Sequence, residues 1–134
     1  MSATRPIPVP TPVSEPFWEG CQRGEFLLQH CRSCDAKQFY PRSVCSACGA
    51  SDLAWRAASG EGQIVTYTVV RRAIMEAFAE RVPYVVAIVR LAEGPQLMSH
   101  VIDCDPDTVR IGAAVRLDFE RLGEDASLPV FRLA

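Results

Sequence analysis

A chain of 134 residues with 49% hydrophobic and 22% charged side chains is globular in composition, enough for one domain or two small modules sharing a core. Net charge is −2, and neither residues 1–60 (six basic, five acidic) nor residues 61–134 (eight basic, eleven acidic) carry the basic excess of a phosphate-backbone binder, so nucleic acid is not the expected partner. No run of 18 apolar residues suggests a membrane span and the N-terminal stretch has no apolar h-region of a signal peptide, so the cytoplasm is the expected compartment.

Residues 1–13 carry Pro6, Pro8, Pro10 and Pro12, which forbid helix and sheet ladders and predict a flexible Pro-rich arm. Ser14-Glu15-Pro16 then has a helix-start pattern: a capping hydroxyl, an acid and a proline in the first turn. The helix is expected to end near Arg23, with Gly24 as its stop. Phe17, Trp18 and Cys21 give it an apolar side, suited to its own domain or to docking on another subunit.

Glu25–His30 and Lys37–Tyr40 read as two short strands, and Leu53–Ala57 as a third. They frame Cys31-Arg32-Ser33-Cys34 and Cys45-Ser46-Ala47-Cys48, a C-x2-C pair repeated after a gap of ten residues. Two such turns place four thiolates on a tetrahedron, the geometry of a structural Zn²⁺ site, and four cysteines leave no open position for catalytic water. Iron is the chemical alternative for a four-sulfur set. Disulfides are disfavoured in a reducing compartment. Trp18, Phe39, Tyr40 and Trp55 are read as packing for this small module.

Gly60-Glu61-Gly62 marks a change of texture. Runs rich in β-branched residues follow at Gln63–Arg71, Tyr84–Leu91 and Gln96–Ile102, then Ala114–Arg121 and Leu128–Leu133. In Ala114–Arg121, Val115, Leu117 and Phe119 are expected inward, with Arg116, Asp118 and Glu120 outward. Asp105–Gly112 reads as a turn with one helical turn. Five strands in residues 61–134 fit a small closed barrel, with the OB-fold the natural candidate. Ala73–Arg81 breaks the pattern: it has helical character, with Ile74 and Phe78 four apart, and either folds onto the barrel or meets a partner or acyl chain.

No catalytic constellation emerges. Cys21 and Cys104 lie outside the paired cysteines, and His30 and His100 have no sequence partner to orient them. There is no Gly-rich phosphate loop, no H-E-x-x-H and no G-x-S-x-G.

The combination of parts resembles a known family, the OB-fold proteins of "domain of unknown function 35" with a rubredoxin-like zinc ribbon. The residues that carry the resemblance are Pro16-Phe17-Trp18-Glu19, Leu28 to Cys34, Phe39-Tyr40-Pro41-Arg42, Cys45 to Gly49, Gly62 to Val70, Pro83 to Ala87 and Ile111-Gly112. The resemblance implies a mainly β fold: an N-terminal helix and zinc ribbon over residues 14–60, then a five-stranded OB-fold barrel over residues 61–134. It implies Cys31, Cys34, Cys45 and Cys48 as zinc ligands. It also implies a non-catalytic accessory subunit of a thiolase-superfamily enzyme or a hot-dog-fold hydratase, helping to form a CoA-thioester site. Arginines suit CoA phosphates, and Arg71, Arg72 and Arg90 on the barrel, with Arg32 and Arg42 on the ribbon, are the candidates. The competing readings are a single-stranded nucleic-acid binder, which needs a positive groove with stacking aromatics, and a stand-alone thioester hydrolase or transferase, which needs a nucleophile.

Overall fold

The structure, a computed structural model, describes residues 5–134. Helix α1 (Glu15–Gln22) leads into a three-stranded sheet of β1 (Leu27–Cys31), β2 (Lys37–Gln38) and β3 (Leu53–Ala57), in the order β2-β1-β3. Five strands follow: β4 (Glu61–Val70), β5 (Tyr84–Leu91), β6 (Gln96–Val101), β7 (Ala114–Leu122) and β8 (Ala126–Leu133). They close into a barrel in the order β4-β5-β6-β8-β7. All its pairings are antiparallel except β6 with β8, which meet through Val101 and Phe131. That is the OB-fold topology expected from the strand count. No helix among the described residues is long and apolar enough to cross a membrane.

The stop of α1 follows from one glycine. Gly24 adopts φ +80°, its N–H reaches the Cys21 carbonyl at 3.1 Å, and the Glu25 N–H returns to the Gly20 carbonyl at 2.8 Å. This Schellman closure satisfies the last helix carbonyls and turns the chain straight into β1. The expected hydroxyl cap at the other end is absent. The Ser14 Oγ instead accepts from the Thr11 N–H at 2.9 Å and lies 3.0 Å from the Thr11 hydroxyl, so the turn at the end of the arm has taken the capping group.

Barrel strands bury alternate residues. Val85, Ala87, Val89 and Leu91 of β5 face inward with Ile64, Leu97, Val101, Val115 and Phe131. Phe17, Cys21, Phe26 and Leu28 from α1 and the ribbon belong to the same buried cluster. A bulge between Ile64 and Thr66 lets β4 bend so that its first residues pair with β7 while its length pairs with β5. Closure is made by short seams: β4 meets β7 only over Glu61–Gln63, and β6 meets β8 only at Val101 and Phe131.

Three local expectations are corrected. Ala73–Arg81 is not an amphipathic helix: only Glu76–Phe78 forms a 3-10 turn. Ile74 is 93% exposed, while Phe78 turns back onto Tyr84 (ring centroids 5.6 Å apart). A stretch this short does not sustain a helix without a face to bury. Strand β2 ends at Gln38, not Tyr40, because the Phe39 ring leaves the sheet to join Phe17 and Phe26, each 5.0 Å away. On β7, Val115 and Arg116 alternate as expected, but Asp118 and Glu120 are half-buried. Arginines cover that outer face: Arg132 Nε donates to Asp118 at 2.6 Å, and Arg5 and Arg81 both donate to Glu120.

Candidate functional site

The two cysteine turns are built alike. Asp35 after Cys34 and Gly49 after Cys48 both take positive φ, +65° and +79°. Each returns its N–H to the first cysteine of its pair, Asp35 to the Cys31 carbonyl and Gly49 to the Cys45 carbonyl, both at 2.9 Å. The next alanine closes each loop: Cys31 N–H donates to Ala36 and Cys45 N–H to Ala50, both at 2.8 Å. Asp and Gly are the residue types that accept this left-handed turn at low cost.

The two turns face each other. All four Sγ atoms lie within 4.8 Å of one another, with Cys31–Cys48 and Cys34–Cys45 both at 3.6 Å. A tetrahedron with Zn–S of about 2.3 Å has an edge of about 3.8 Å, so the sulfurs stand where a zinc ion fits. Cys31 and Cys45 are buried, whereas Cys34 and Cys48 are exposed. Amide donors favour one thiolate: the N–H groups of Cys48 and Ala47 draw the Cys45 thiol down to about 6. At Cys34 the Ala36 N–H also lowers the value, but the neighbouring sulfurs outweigh it and push the thiol up to about 12. A cation among the four removes this competition for negative charge.

A pair of buried amides, not singled out from sequence, holds the second turn in place. Gln29 and Gln38 sit opposite each other on β1 and β2 and are 4% and 7% exposed. Gln38 Nε2 donates to Gln29 Oε1 at 2.7 Å, and Gln29 Oε1 also accepts from Arg42 N–H at 2.8 Å. Gln38 Oε1 accepts from the Ser46 N–H at 2.8 Å, directly beside Cys45. The periodicity of a two-residue strand cannot reveal this. Two glutamines in cross-strand register were the available signal.

The other singled-out residues fall into separate places. His30 is buried and pairs through Nε2 with the Asp35 carboxylate, bracing the first turn as expected of a structural histidine. His100 is half-buried, its ring 5.1 Å from Tyr84 in a stack. Burial, then Arg5 and Arg81, hold it below the ordinary histidine value. Burial pushes the Cys21 thiol up to about 12. Burial and then Asp105 and Asp103 raise Cys104, whose Sγ donates to the Val101 carbonyl at 3.7 Å. Among the described residues these four form no nucleophile–base pair.

The candidate arginines do not converge. Arg71 and Arg72 follow the end of β4, where Val70 pairs with Tyr84, and Arg71 lies 4.0 Å from Asp107. Arg90 pairs with Gln63 near the other end of the same ladder, six residues along β5 and so roughly 20 Å away. Arg32 donates to Asp52 at 2.8 Å, and Arg42 contributes its backbone to the Gln29 network.

An apolar groove of about 400 Å³ lies where α1, the ribbon and strands β6 and β8 meet. Trp18, Phe39, Met98, Leu128 and Val130 line it, with Arg5 and His100 as polar groups. The ribbon is tied to the barrel at its wall, where the Met98 N–H donates to the Tyr40 hydroxyl at 3.1 Å.

Comparison with known proteins matches both parts. Residues 18–54 match the family described as "ChsH2, rubredoxin-like zinc ribbon domain", and residues 55–120 the one described as "ChsH2, C-terminal OB-fold domain". A "DUF35 domain-containing scaffold protein" of Methanothermobacter thermautotrophicus is 36% identical over 105 residues, covering 78% of each chain. One of the same description from Methanocaldococcus jannaschii is 35% identical over 71% of this chain and 67% of that protein. The chain belongs to the DUF35 family.

Two further matches carry enzyme descriptions. A "Probable enoyl-CoA hydratase alpha subunit" of Thermomonospora curvata is 33% identical over 98% of this chain, which spans 41% of that relative's length. The structure described as "Ltp2-ChsH2(DUF35) aldolase" contains a chain that superposes with TM-score 0.85 and 32% identity, covering 94% of this chain and 98% of that one. A DUF35 structure from Sulfolobus solfataricus, 17% identical with TM-score 0.66 over 92% of this chain and 86% of that one, shares the fold.

Proposed function

We propose that this chain is a non-catalytic accessory subunit that binds a thiolase-superfamily enzyme or a hot-dog-fold hydratase in the cytoplasm and helps form its CoA-thioester site. The observation that carries this reading is the near-complete superposition on the DUF35 chain of the Ltp2-ChsH2(DUF35) aldolase, with 32% identity over 94% of this chain. The relationship to an enoyl-CoA hydratase alpha subunit supports the CoA-thioester class. The description of two relatives as scaffold proteins supports an accessory role. The proposed division of labour follows the chain: an arm over residues 1–13, of which 1–4 lie outside the described residues, helix and ribbon over 14–60, barrel over 61–134.

In this reading Cys31, Cys34, Cys45 and Cys48 hold a structural zinc, which locks the ribbon in shape and takes no part in turnover. Arg71 and Arg72 offer adjacent charges to a CoA phosphate at one rim of the barrel, and Arg90 stands at the other rim. Co-expression with the thiolase-fold and hot-dog-fold proteins of the same genome tests the proposal. A stable complex with acyl-CoA activity, absent from the isolated chain, is expected. Failure of every such partner to co-purify, together with salt-dependent binding of single-stranded oligonucleotides, overturns it in favour of nucleic-acid binding.

A further inference from the structure

We infer that the groove between α1, the ribbon and strands β6 and β8 binds a medium-chain apolar carboxylate, its tail against Trp18, Phe39 and Met98 and its carboxylate on the guanidinium of Arg5. The groove measures about 400 Å³. That is within the roughly 300–1,000 Å³ of small-molecule pockets, and its apolar lining with a few polar groups is their usual make-up. Helix α1, the ribbon and strands β6 and β8 form its walls and share one buried core, so the shape is present before a ligand arrives.

Arg5 supplies the polar recognition. Its guanidinium lies 5.2 Å above the Phe78 ring, and Nη1 donates to Glu120. Its Nε is buried and has no hydrogen-bond partner among the described residues, a costly state for a cationic donor. Glu120 is already shared, since Arg81 Nη2 donates to its other oxygen at 3.0 Å. Two guanidinium groups on one carboxylate leave an excess of one positive charge where the apolar walls end. His100 beside it is held below the ordinary histidine value by burial first and then by these two arginines, with Glu120 opposing, so it adds no second positive charge to the groove. An acid head group satisfies the free donor and balances the charge; a neutral or cationic one does neither. A peptide strand is a poorer occupant, because two of the backbone groups it would pair with at the β6–β8 gap are taken: the Met98 N–H by the Tyr40 hydroxyl and the Pro129 carbonyl by the Ser99 hydroxyl.

This inference stands apart from the accessory reading: a chain that captures an enzyme partner but fails the following test overturns this inference alone. Decanoate is titrated into the full chain by calorimetry, with decyltrimethylammonium as the same tail bearing the opposite charge. One saturable site is expected, with decanoate preferred by about tenfold or more, the size of one charge-assisted hydrogen bond. Arg5→Gln removes that preference, and Met98→Trp, at a groove-wall residue that is 62% exposed, blocks binding of both. Far-UV circular dichroism is expected to stay unchanged in both variants. Equal binding of the two amphiphiles, no saturation, or decanoate affinity unaltered in either variant overturns the inference.

Discussion

Replacing Gln38 with methionine keeps the volume of the side chain and removes its polar end. In the native ribbon that amide donates to Gln29 Oε1 at 2.7 Å and to the Val44 carbonyl at 3.2 Å, and accepts from the Ser46 N–H at 2.8 Å and hydroxyl at 3.0 Å. At about 1 kcal/mol net per bond, four bonds set a ceiling near 4 kcal/mol. The ceiling is not reached, because Ser46 and Val44 are exposed and can turn to water, while buried Gln29 Oε1 keeps the Arg42 N–H. A loss of about 2–3 kcal/mol remains, or roughly 8 °C in Tm for a chain of this size. Because the Ser46 N–H adjoins Cys45, most of the loss falls on the second cysteine turn. Zinc transfer from the metal-loaded protein to a chromogenic chelator is therefore expected to speed up by at least about tenfold, the ratio that 1.4 kcal/mol commands. A variant that melts earlier but releases zinc at the native rate refutes the reasoning, since the network would then support the fold without positioning the ligands.

Cys45→Ser removes one of the four proposed zinc ligands, a buried one, and is expected to abolish stoichiometric zinc, measured by elemental analysis, while the barrel keeps its far-UV signature. Gly62→Ala places a methyl 2.7 Å from Val89 Cγ1 and 3.0 Å from the Arg90 carbonyl, and should cost about 1–3 kcal/mol in urea unfolding. Burial raises the Glu120 carboxyl, but Arg5 and Arg81 outweigh it and hold the group below the ordinary glutamate range. Its stabilisation is therefore complete above the unfolded value of about 4.3 and is lost as pH falls through the folded value. Glu120→Gln should flatten the acid limb of the stability–pH curve and speed cleavage of the arm in limited proteolysis; an unchanged acid limb contradicts that assignment.

Much of the architecture is legible in local pattern. The C-x2-C spacing, followed by Asp35 in one turn and Gly49 in the other, describes both cysteine turns without reference to anything distant, because each closes its hydrogen bonds within six residues. Strand β5 is readable from its β-branched Val85, Val86, Ile88 and Val89, but the run is apolar throughout, so only the structure shows which residues face inward. Ala73–Arg81 was misread because a spacing of four between Ile74 and Phe78 is a helix signal only if both residues share a buried face. Here Tyr84 and His100 claim Phe78 while Ile74 points to water.

Sequence by itself determined the parts: a helix with a glycine stop, a four-sulfur cluster, and strands enough for a closed barrel, all written in short-range spacing and turn chemistry. Only the tertiary structure decided what stands beside what. It separated Arg71 from Arg90 by the length of a strand, joined Gln29 to Gln38, and brought Arg5 across the chain to Glu120, 115 residues away. The groove has walls from the helix, the ribbon and two barrel strands, far apart in the chain, and no window of sequence contains it. Such sites arise from burial shared among distant segments, and that is settled only when the whole core closes.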